Sequence, residues 1–139
     1  MRIGLVSCVK KKINDGKGHC AKDLYCSTLF AGQLKLSQTE NEKTFILSAK
    51  YGLLELDDMI SYYDETLIGK PKAEKDKWAD GVVSQLESKK IAIDGTNDFV
   101  FYAGNDYFKP LLNKVLKSNK RFNLPIGKLL QKLKEVNNG

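Results

Sequence analysis

The chain has 139 residues, of which 42% are hydrophobic and 29% are charged, and its formal net charge is +6. These values are typical of one globular domain with its own core, and they exclude a collagen-like or low-complexity chain. The net positive charge moderately favours anionic partners such as nucleotides or nucleic acid.

The cysteines and the apolar runs indicate where the protein works. The three cysteines, an odd number, argue against a disulfide framework, and the first residues, MRIGLVSCV, resemble a core strand more than a secretory signal. No apolar run reaches the roughly 18 residues of a membrane helix. We therefore expect a cytoplasmic protein that has no membrane association.

Three short apolar runs predict strands that are buried on both faces, at residues 2–8, 43–49 and 98–104. Helical spacing of apolar residues predicts helices over 21–38, 72–89, 107–116 and 124–136. Short further strands are expected near 91–93 and 121–123. The alternation predicts the α/β class: a single three-layer α/β/α domain over residues 1–139, with a mainly parallel sheet of four to five strands.

Small, hydroxyl-bearing or cationic residues follow each of the three predicted strands. Because ligands of open parallel sheets bind beyond the carboxyl ends of the strands, we expect these residues to surround one crevice. Small residues let the backbone approach a ligand closely, and lysines supply charge for a phosphate or carboxylate. The residues expected there are Ser7, Cys8, Lys10, Lys11, Lys12, Ser48, Lys50, Tyr51, Gly52, Gly104, Asn105, Asp106 and Tyr107.

Each of these features also has a purely structural interpretation. The run KKK at 10–12 is equally typical of a solvated loop. The Lys50 side chain can simply reach water. The run GNDY at 104–107 can serve only as a turn and a helix cap. Cys8 is most often a small buried hydrophobe. His19 lies near the cysteines, but its spacing matches no zinc pattern, so we expect no metal and no cofactor.

The aromatic segment MISYYDETLIG, residues 59–69, is a second candidate for the site. Tyr62, Tyr63 and Asp64 in a loop can stack on a ring and bind or deprotonate a polar group, or they can belong to a packing loop. The sequence contains no GxxxxGK[ST] or GxGxxG motif, which excludes the standard phosphate-binding loops.

Five segments in order, LVSCVKKK, AKDLYCSTLF, FILSAKYGLLELDDMISYYDETL, YAGNDYFKPL and LPIGKLLQKL, resemble the small DUF6884 proteins of bacteria and phages. More distantly, SCVKKK, LYCSTLF and ILSAKYGLLELDDMISYYD are similar to the core domain of archaeosine synthases. Those enzymes act on a deazaguanine base in tRNA and share the fold of uracil-DNA glycosylases. The proteins of this resemblance often have a histidine at the position of Tyr51, so the resemblance implies no proton transfer by a histidine there. By position, this resemblance implies a site at Ser7, Cys8, Lys11, Tyr25, Ser27, Ser48, Lys50, Gly52, Tyr63 and Asp64.

The sequence and the resemblance together lead us to expect a small enzyme that acts on a nucleobase, nucleoside or nucleotide, free or in nucleic acid. Glycosyl-bond cleavage and group transfer are the expected reactions. Lys50 and Lys11 would hold phosphate or stabilise negative charge, Asp64 would bind a polar edge or act as base, and Cys8 would be the nucleophile. Tyr63 or Tyr107 would stack on the ring. The alternatives are a non-catalytic nucleotide-binding or sequestering protein of phage or host, and a basic nucleic-acid-binding module.

Overall fold

The computed structural model describes the backbone of residues 1–117 and 121–123, and the side chains of 1–93 and 96–112. Its main sheet has the strand order β4-β3-β1-β6-β7. All neighbouring strands are parallel except β4, which is antiparallel to β3 at one edge. The prediction of an α/β fold with a mainly parallel sheet is therefore confirmed. The strands are β1 (Arg2–Ser7), β3 (Lys43–Ser48), β4 (Gly52–Glu55), β6 (Asp94–Tyr102) and β7 (Arg121–Asn123).

The described helices are α1 (Ala21–Leu24), α2 (Thr28–Glu40), α3 (Lys72–Ser88) and α4 (Asn105–Lys117). The prediction of one continuous helix over 21–38 is wrong. Tyr25 has extended backbone angles and forms an isolated bridge with Lys12, and Ser27 then caps a new helix by accepting a hydrogen bond from the backbone N–H of Phe30 at 3.0 Å. The helix predicted over 124–136 lies outside the described residues.

A second, two-stranded sheet pairs β2 (His19–Cys20) with β5 (Met59–Ile60) in antiparallel fashion. This pairing holds the basic loop of residues 10–18 beside the aromatic segment 59–69. The sequence patterns do not predict the pairing. The strand predicted at 91–93 is wrong, since regular pairing begins only at Asp94, whereas the strand predicted at 121–123 is confirmed as β7.

The motif SAKYG at 48–52 forms the tight connection between β3 and β4. The Ser48 hydroxyl accepts hydrogen bonds from the backbone N–H groups of Lys50 (3.2 Å) and Tyr51 (3.1 Å). Gly52 has a φ of +75°, a conformation that strains any residue with a Cβ atom, and a Cβ there would collide with the side chain of Gln85. The small residues of this motif therefore serve the turn.

Helix α2 packs closely on β1 because Gly4 has no side chain: a Cβ there would overlap Ser37. At the amino end of β1, Arg2 donates a hydrogen bond to Asn41 at 3.2 Å, so α2 runs back along the strand. Gln33, one helical turn before Ser37 and on the same face, consequently lies near the carboxyl end of β1. The core beneath the helices is dense and aromatic; its largest fully buried residues include Phe30, Phe45, Phe99, Phe101 and Tyr102.

Within the described part of the chain, none of the helices combines the length and the apolar character that crossing a bilayer requires.

Candidate functional site

A cavity of about 650 Å³ opens at the carboxyl edge of the main sheet. Residue Ser7 pairs with Leu47, and Val6 pairs with Tyr102, so Ser7, Ser48 and Gly104 follow one another along the same edge. The prediction that these strand ends share an edge is confirmed. The cavity is lined by Ser7, Cys8, Val9, Lys10, Lys12, Leu29, Gln33, Asp64, Glu65, Thr66, Ile68, Gly104, Asp106 and Tyr107.

Two polar side chains of the lining are more than nine-tenths buried and make no hydrogen bond within the described part of the chain. Gln33 is 4% exposed and Ser7 is 8% exposed, and neither side chain makes a hydrogen bond to any described residue. Every fully sealed side-chain nitrogen or oxygen in the described part of the chain does have a partner. The Gln33 amide and the Ser7 hydroxyl must therefore open into the cavity, which is their remaining accessible space. Buried polar groups are almost always hydrogen-bonded, so both are placed to meet a ligand or water.

Beside them, Cys8 and Tyr107 form a buried pair. The Cys8 thiol donates a hydrogen bond to the Tyr107 hydroxyl at 3.4 Å, and the backbone N–H of Leu67 donates to the same oxygen at 3.4 Å. Burial raises the pKa of Tyr107 well above its usual range, so the phenol keeps its proton at neutral pH. A protonated phenol can in turn donate to a thiolate, which makes Cys8 the lining's candidate nucleophile.

The charged residues of the lining carry both signs. Lys12 lies with its Nζ 4.6 Å from the centre of the Tyr63 ring. Partial burial lowers the pKa of Lys12, while Cys8 and Asp64 oppose that shift. Asp106 forms an ion pair with Lys75 at 2.6 Å. With Lys10 and Lys12 against Asp64, Glu65 and Asp106, the cavity is not a uniformly cationic pocket.

Residues 64–66 and 68 form one wall of the cavity. Tyr63 and Leu67, whose side chains are buried in the core, hold this segment in place. The Tyr63 hydroxyl accepts a hydrogen bond from Ser48 at 2.8 Å and bonds the Tyr25 hydroxyl at 2.5 Å. Burial raises the pKa of both tyrosines far above the usual range. Tyr63 and Tyr25 are 4% and 3% exposed and are not part of the lining, so in this structure they support the wall from behind.

The structure places the residues expected from the sequence in two groups. Ser7, Cys8, Lys10, Lys12, Asp64, Gly104, Asp106 and Tyr107 line the cavity. The others lie behind its wall or on the surface: Tyr25, Ser48, Gly52 and Tyr63 are buried, Ser27 is half-buried, and Lys11, Lys50, Tyr51 and Asn105 are exposed.

Lys50 is the largest departure from expectation. Its side chain is exposed on the turn between β3 and β4, with Nζ 5.3 Å from the centre of the Tyr51 ring, and it is not part of the cavity lining. The antiparallel return of β4 directs this turn away from the ends of β1 and β6. Among the three lysines of the run 10–12, it is Lys10 and Lys12 that line the cavity, while Lys11 points to solvent.

Several lining residues were not singled out from the sequence. Gln33 had a usable signal, because it lies between Phe30 and Ser37 on the buried face of α2, where a polar residue needs an explanation. Leu29, Thr66 and Ile68 had no such signal, because only the tertiary structure brings the elements that carry them together.

A scan against protein-family models finds one match, a family of unknown function, DUF6884, over residues 3–135. No curated protein and no solved structure matches the chain. Since the family model spans almost the entire sequence, the chain belongs to the DUF6884 family.

Proposed function

We propose that this protein is a small enzyme that acts on a nucleobase, nucleoside or nucleotide, free or in nucleic acid, by glycosyl-bond cleavage or group transfer. One observation carries the proposal: Gln33 and Ser7, two buried polar groups that no described residue hydrogen-bonds, open into the same cavity as the Cys8–Tyr107 pair. The cavity volume of about 650 Å³ is in the range of small-molecule sites. The resemblance of three segments to archaeosine synthases supports a base as the reacting group.

The lining offers a distinct environment for each part of a nucleoside. Val9, Leu29 and Ile68 supply apolar surface for the faces of a ring, and Gln33 supplies hydrogen bonds for its edge. Lys10, which is exposed at the rim, is placed for a phosphate or a sugar oxygen. This reading assumes the three-layer arrangement expected from the sequence, with α2 covering one face of the sheet and α3 and α4 the other.

For glycosyl-bond cleavage, Asp64 acts as the general base and Lys12 stabilises the leaving group. Water attacks the anomeric carbon while Asp64 accepts a proton from that water, and the C–N bond breaks with its electron pair passing to the base. Lys12 donates a hydrogen bond to the leaving nitrogen and stabilises its developing negative charge. In group transfer, the Cys8 thiolate, stabilised by a hydrogen bond from the protonated Tyr107, would attack the anomeric carbon while the C–N bond breaks and its electron pair passes to the departing base. An incoming nucleophile would then attack the same carbon and displace Cys8 as the thiolate.

The first experiment is a panel of thermal melts with purines, pyrimidines, their nucleosides and their monophosphates. Any compound that raises the melting temperature is then incubated with the protein, and released base or transferred product is measured by mass spectrometry. Asp64→Asn and Cys8→Ser are expected to abolish turnover by hydrolysis and transfer respectively. Asp57→Asn is the matched control, because Asp57 is a surface residue whose side chain is 84% exposed and lies outside the cavity. Absence of stabilisation by the whole panel would contradict the proposal.

Two alternatives give different results in the same experiments. A non-catalytic binding or sequestering protein of phage or host would bind a compound of the panel, show no turnover, and keep its affinity in Cys8→Ser. A nucleic-acid-binding module would bind through exposed lysines and lose affinity steeply with salt. The mixed charge of the lining favours a small ligand over a nucleic-acid backbone in the cavity.

A further inference from the structure

We infer that the occupant of the cavity presents to Gln33 a flat, neutral edge in which a hydrogen-bond donor lies beside an acceptor, as in a lactam or an amidine. The inference deepens the proposed function and rests on it for the identity of the whole ligand. The recognition of this edge depends on Gln33 of α2 and Ser7 of β1, so it can be tested separately from the identity of the whole ligand.

The contrast between Gln33 and its neighbour Ser37 shows that Gln33 is not placed for the fold. Both lie on the buried face of α2. The Ser37 hydroxyl bonds Thr44 at 2.7 Å and accepts from Asn41 at 3.2 Å, so it is fully used inside the protein. Gln33, one turn earlier, is 4% exposed and bonds no described residue. A buried amide that makes no hydrogen bond within the described part of the chain destabilises the folded state, and its position at a cavity wall points to a partner that comes from outside.

The chemistry of the amide defines that partner. Glutamine offers a carbonyl oxygen that accepts and an NH₂ group that donates, side by side in one plane. It pairs bidentately with an edge of the opposite order, acceptor beside donor, as glutamine does with adenine. A carboxylate has acceptors only and an ammonium has donors only, so either would leave half of the Gln33 amide unpaired. The Ser7 hydroxyl, which can donate or accept, adapts to whichever polar atom lies next along the edge.

The surroundings of Gln33 keep this edge in one place. Its backbone belongs to a helix of thirteen residues that is locked onto β1 by the Gly4–Ser37 contact. Val9 and Leu29 line the same cavity and are suited to cover the faces of a ring whose edge meets Gln33. The charged lining residues would then meet other parts of the ligand.

The test uses the full chain labelled with ¹⁵N and two small probes. 2-Pyridone carries an N–H beside a C=O, and 1-methyl-2-pyridone has the same ring with the donor blocked. The side-chain NH₂ resonances of Gln33 are assigned by their disappearance in Gln33→Met, which keeps the length of the side chain. Gln38→Met is the matched control, because Gln38 lies exposed on the same helix, outside this cavity. We expect 2-pyridone to shift the Gln33 resonances strongly, and 1-methyl-2-pyridone, which keeps the acceptor but cannot pair bidentately, to shift them much less.

The second readout is the affinity of the best-binding nucleobase or nucleoside. In Gln33→Met it should fall about tenfold to a hundredfold, as expected for loss of a bidentate pair, while the melting temperature stays the same or rises. Gln38→Met should change neither. If Gln33→Met melts earlier or binds with unchanged affinity, the amide serves the fold and the inference fails, although the proposed function survives.

The two proposals can fail independently. If 2-pyridone shifts Gln33 but no base, nucleoside or nucleotide binds, the edge recognition stands and the nucleobase function is overturned. If both pyridones shift the Gln33 resonances equally, or if neither does, the amide bonds only water and the inference is overturned.

Discussion

The Cys8 thiol donates a hydrogen bond to the Tyr107 hydroxyl although the two residues are 99 positions apart in the chain. Cys8 directly follows β1, and Tyr107 lies in the first turn of α4, the helix that follows β6. Because β6 is the strand next to β1, the hydrogen bond links the segments that follow two neighbouring strands. Both residues are less than 8% exposed and both line the cavity.

Replacing Tyr107 by Phe should slow the alkylation of Cys8 at neutral pH. The phenol keeps its proton, so it stabilises the thiolate by donation, and phenylalanine cannot do this. A hydrogen bond of about 0.5–1.5 kcal/mol corresponds to a rate about twofold to tenfold lower. The measurement is iodoacetamide labelling followed by mass spectrometry, in a background with Cys20 and Cys26 changed to serine. Tyr62→Phe, at an exposed tyrosine, is the control and should leave the rate unchanged.

Lys12→Met should weaken ligand binding, and Lys50→Met should leave it unchanged. Lys12 lines the cavity, so loss of its charge should weaken binding of a nucleoside monophosphate by about tenfold, as for a charge-assisted hydrogen bond. Lys50 is exposed outside the cavity, so its replacement should change neither the affinity nor, beyond about 0.5 kcal/mol, the free energy of unfolding. Isothermal titration and urea unfolding measure the two quantities. Weaker binding in Lys50→Met alone would restore the role that the sequence predicted for this lysine.

Gly52→Ala should destabilise the fold more than Gly69→Ala. Both glycines have a positive φ, +75° and +81°, which costs an alanine about 1–2 kcal/mol. At Gly52 the new Cβ also collides with Gln85, whose amide accepts from the N–H of Leu53 at 2.8 Å, whereas nothing lies within 4 Å at Gly69. We expect the free energy of unfolding to fall by at least about 1 kcal/mol more in Gly52→Ala. Equal losses in urea unfolding would show that Gln85 moves aside without cost.

The protein should lose stability at alkaline pH because of its buried tyrosines. Burial raises the pKa values of Tyr25, Tyr63 and Tyr107, so above pH ~10 the unfolded chain releases protons that the folded chain retains. The free energy of unfolding should then fall with pH, by about 1.4 kcal/mol per pH unit for each such tyrosine. The lowered pKa of Lys12 acts in the opposite direction, but only below its unfolded value near ~10.4.

Urea unfolding at several values between pH 9 and pH 11.5 measures this slope. Tyr63→Phe should make the slope shallower by about one proton, and Tyr62→Phe, at an exposed position, should leave it unchanged. Stability that is independent of pH across this range would show that the tyrosines ionise freely in the folded state.

The sequence by itself determined the α/β class, because apolar runs of six or seven residues that alternate with helical spacing have few other solutions. It also determined which edge of the sheet carries the cavity, since parallel strands bring Ser7, Ser48 and Gly104 to one side. Cys8, Asp64 and Tyr107 were identified as site residues because polar chemistry at a strand end or in an aromatic loop is unusual.

Only the tertiary structure decided which of these residues face the cavity. Lys50 and Lys12 look alike in sequence, each a lysine just beyond a buried strand. The antiparallel return of β4 turns Lys50 outward, while the bridge between Lys12 and Tyr25 turns Lys12 inward. The role of Gln33 likewise depends on the register of α2 on β1, which the Gly4–Ser37 contact sets, because a helical pattern gives the buried face but not the strand residue beneath it.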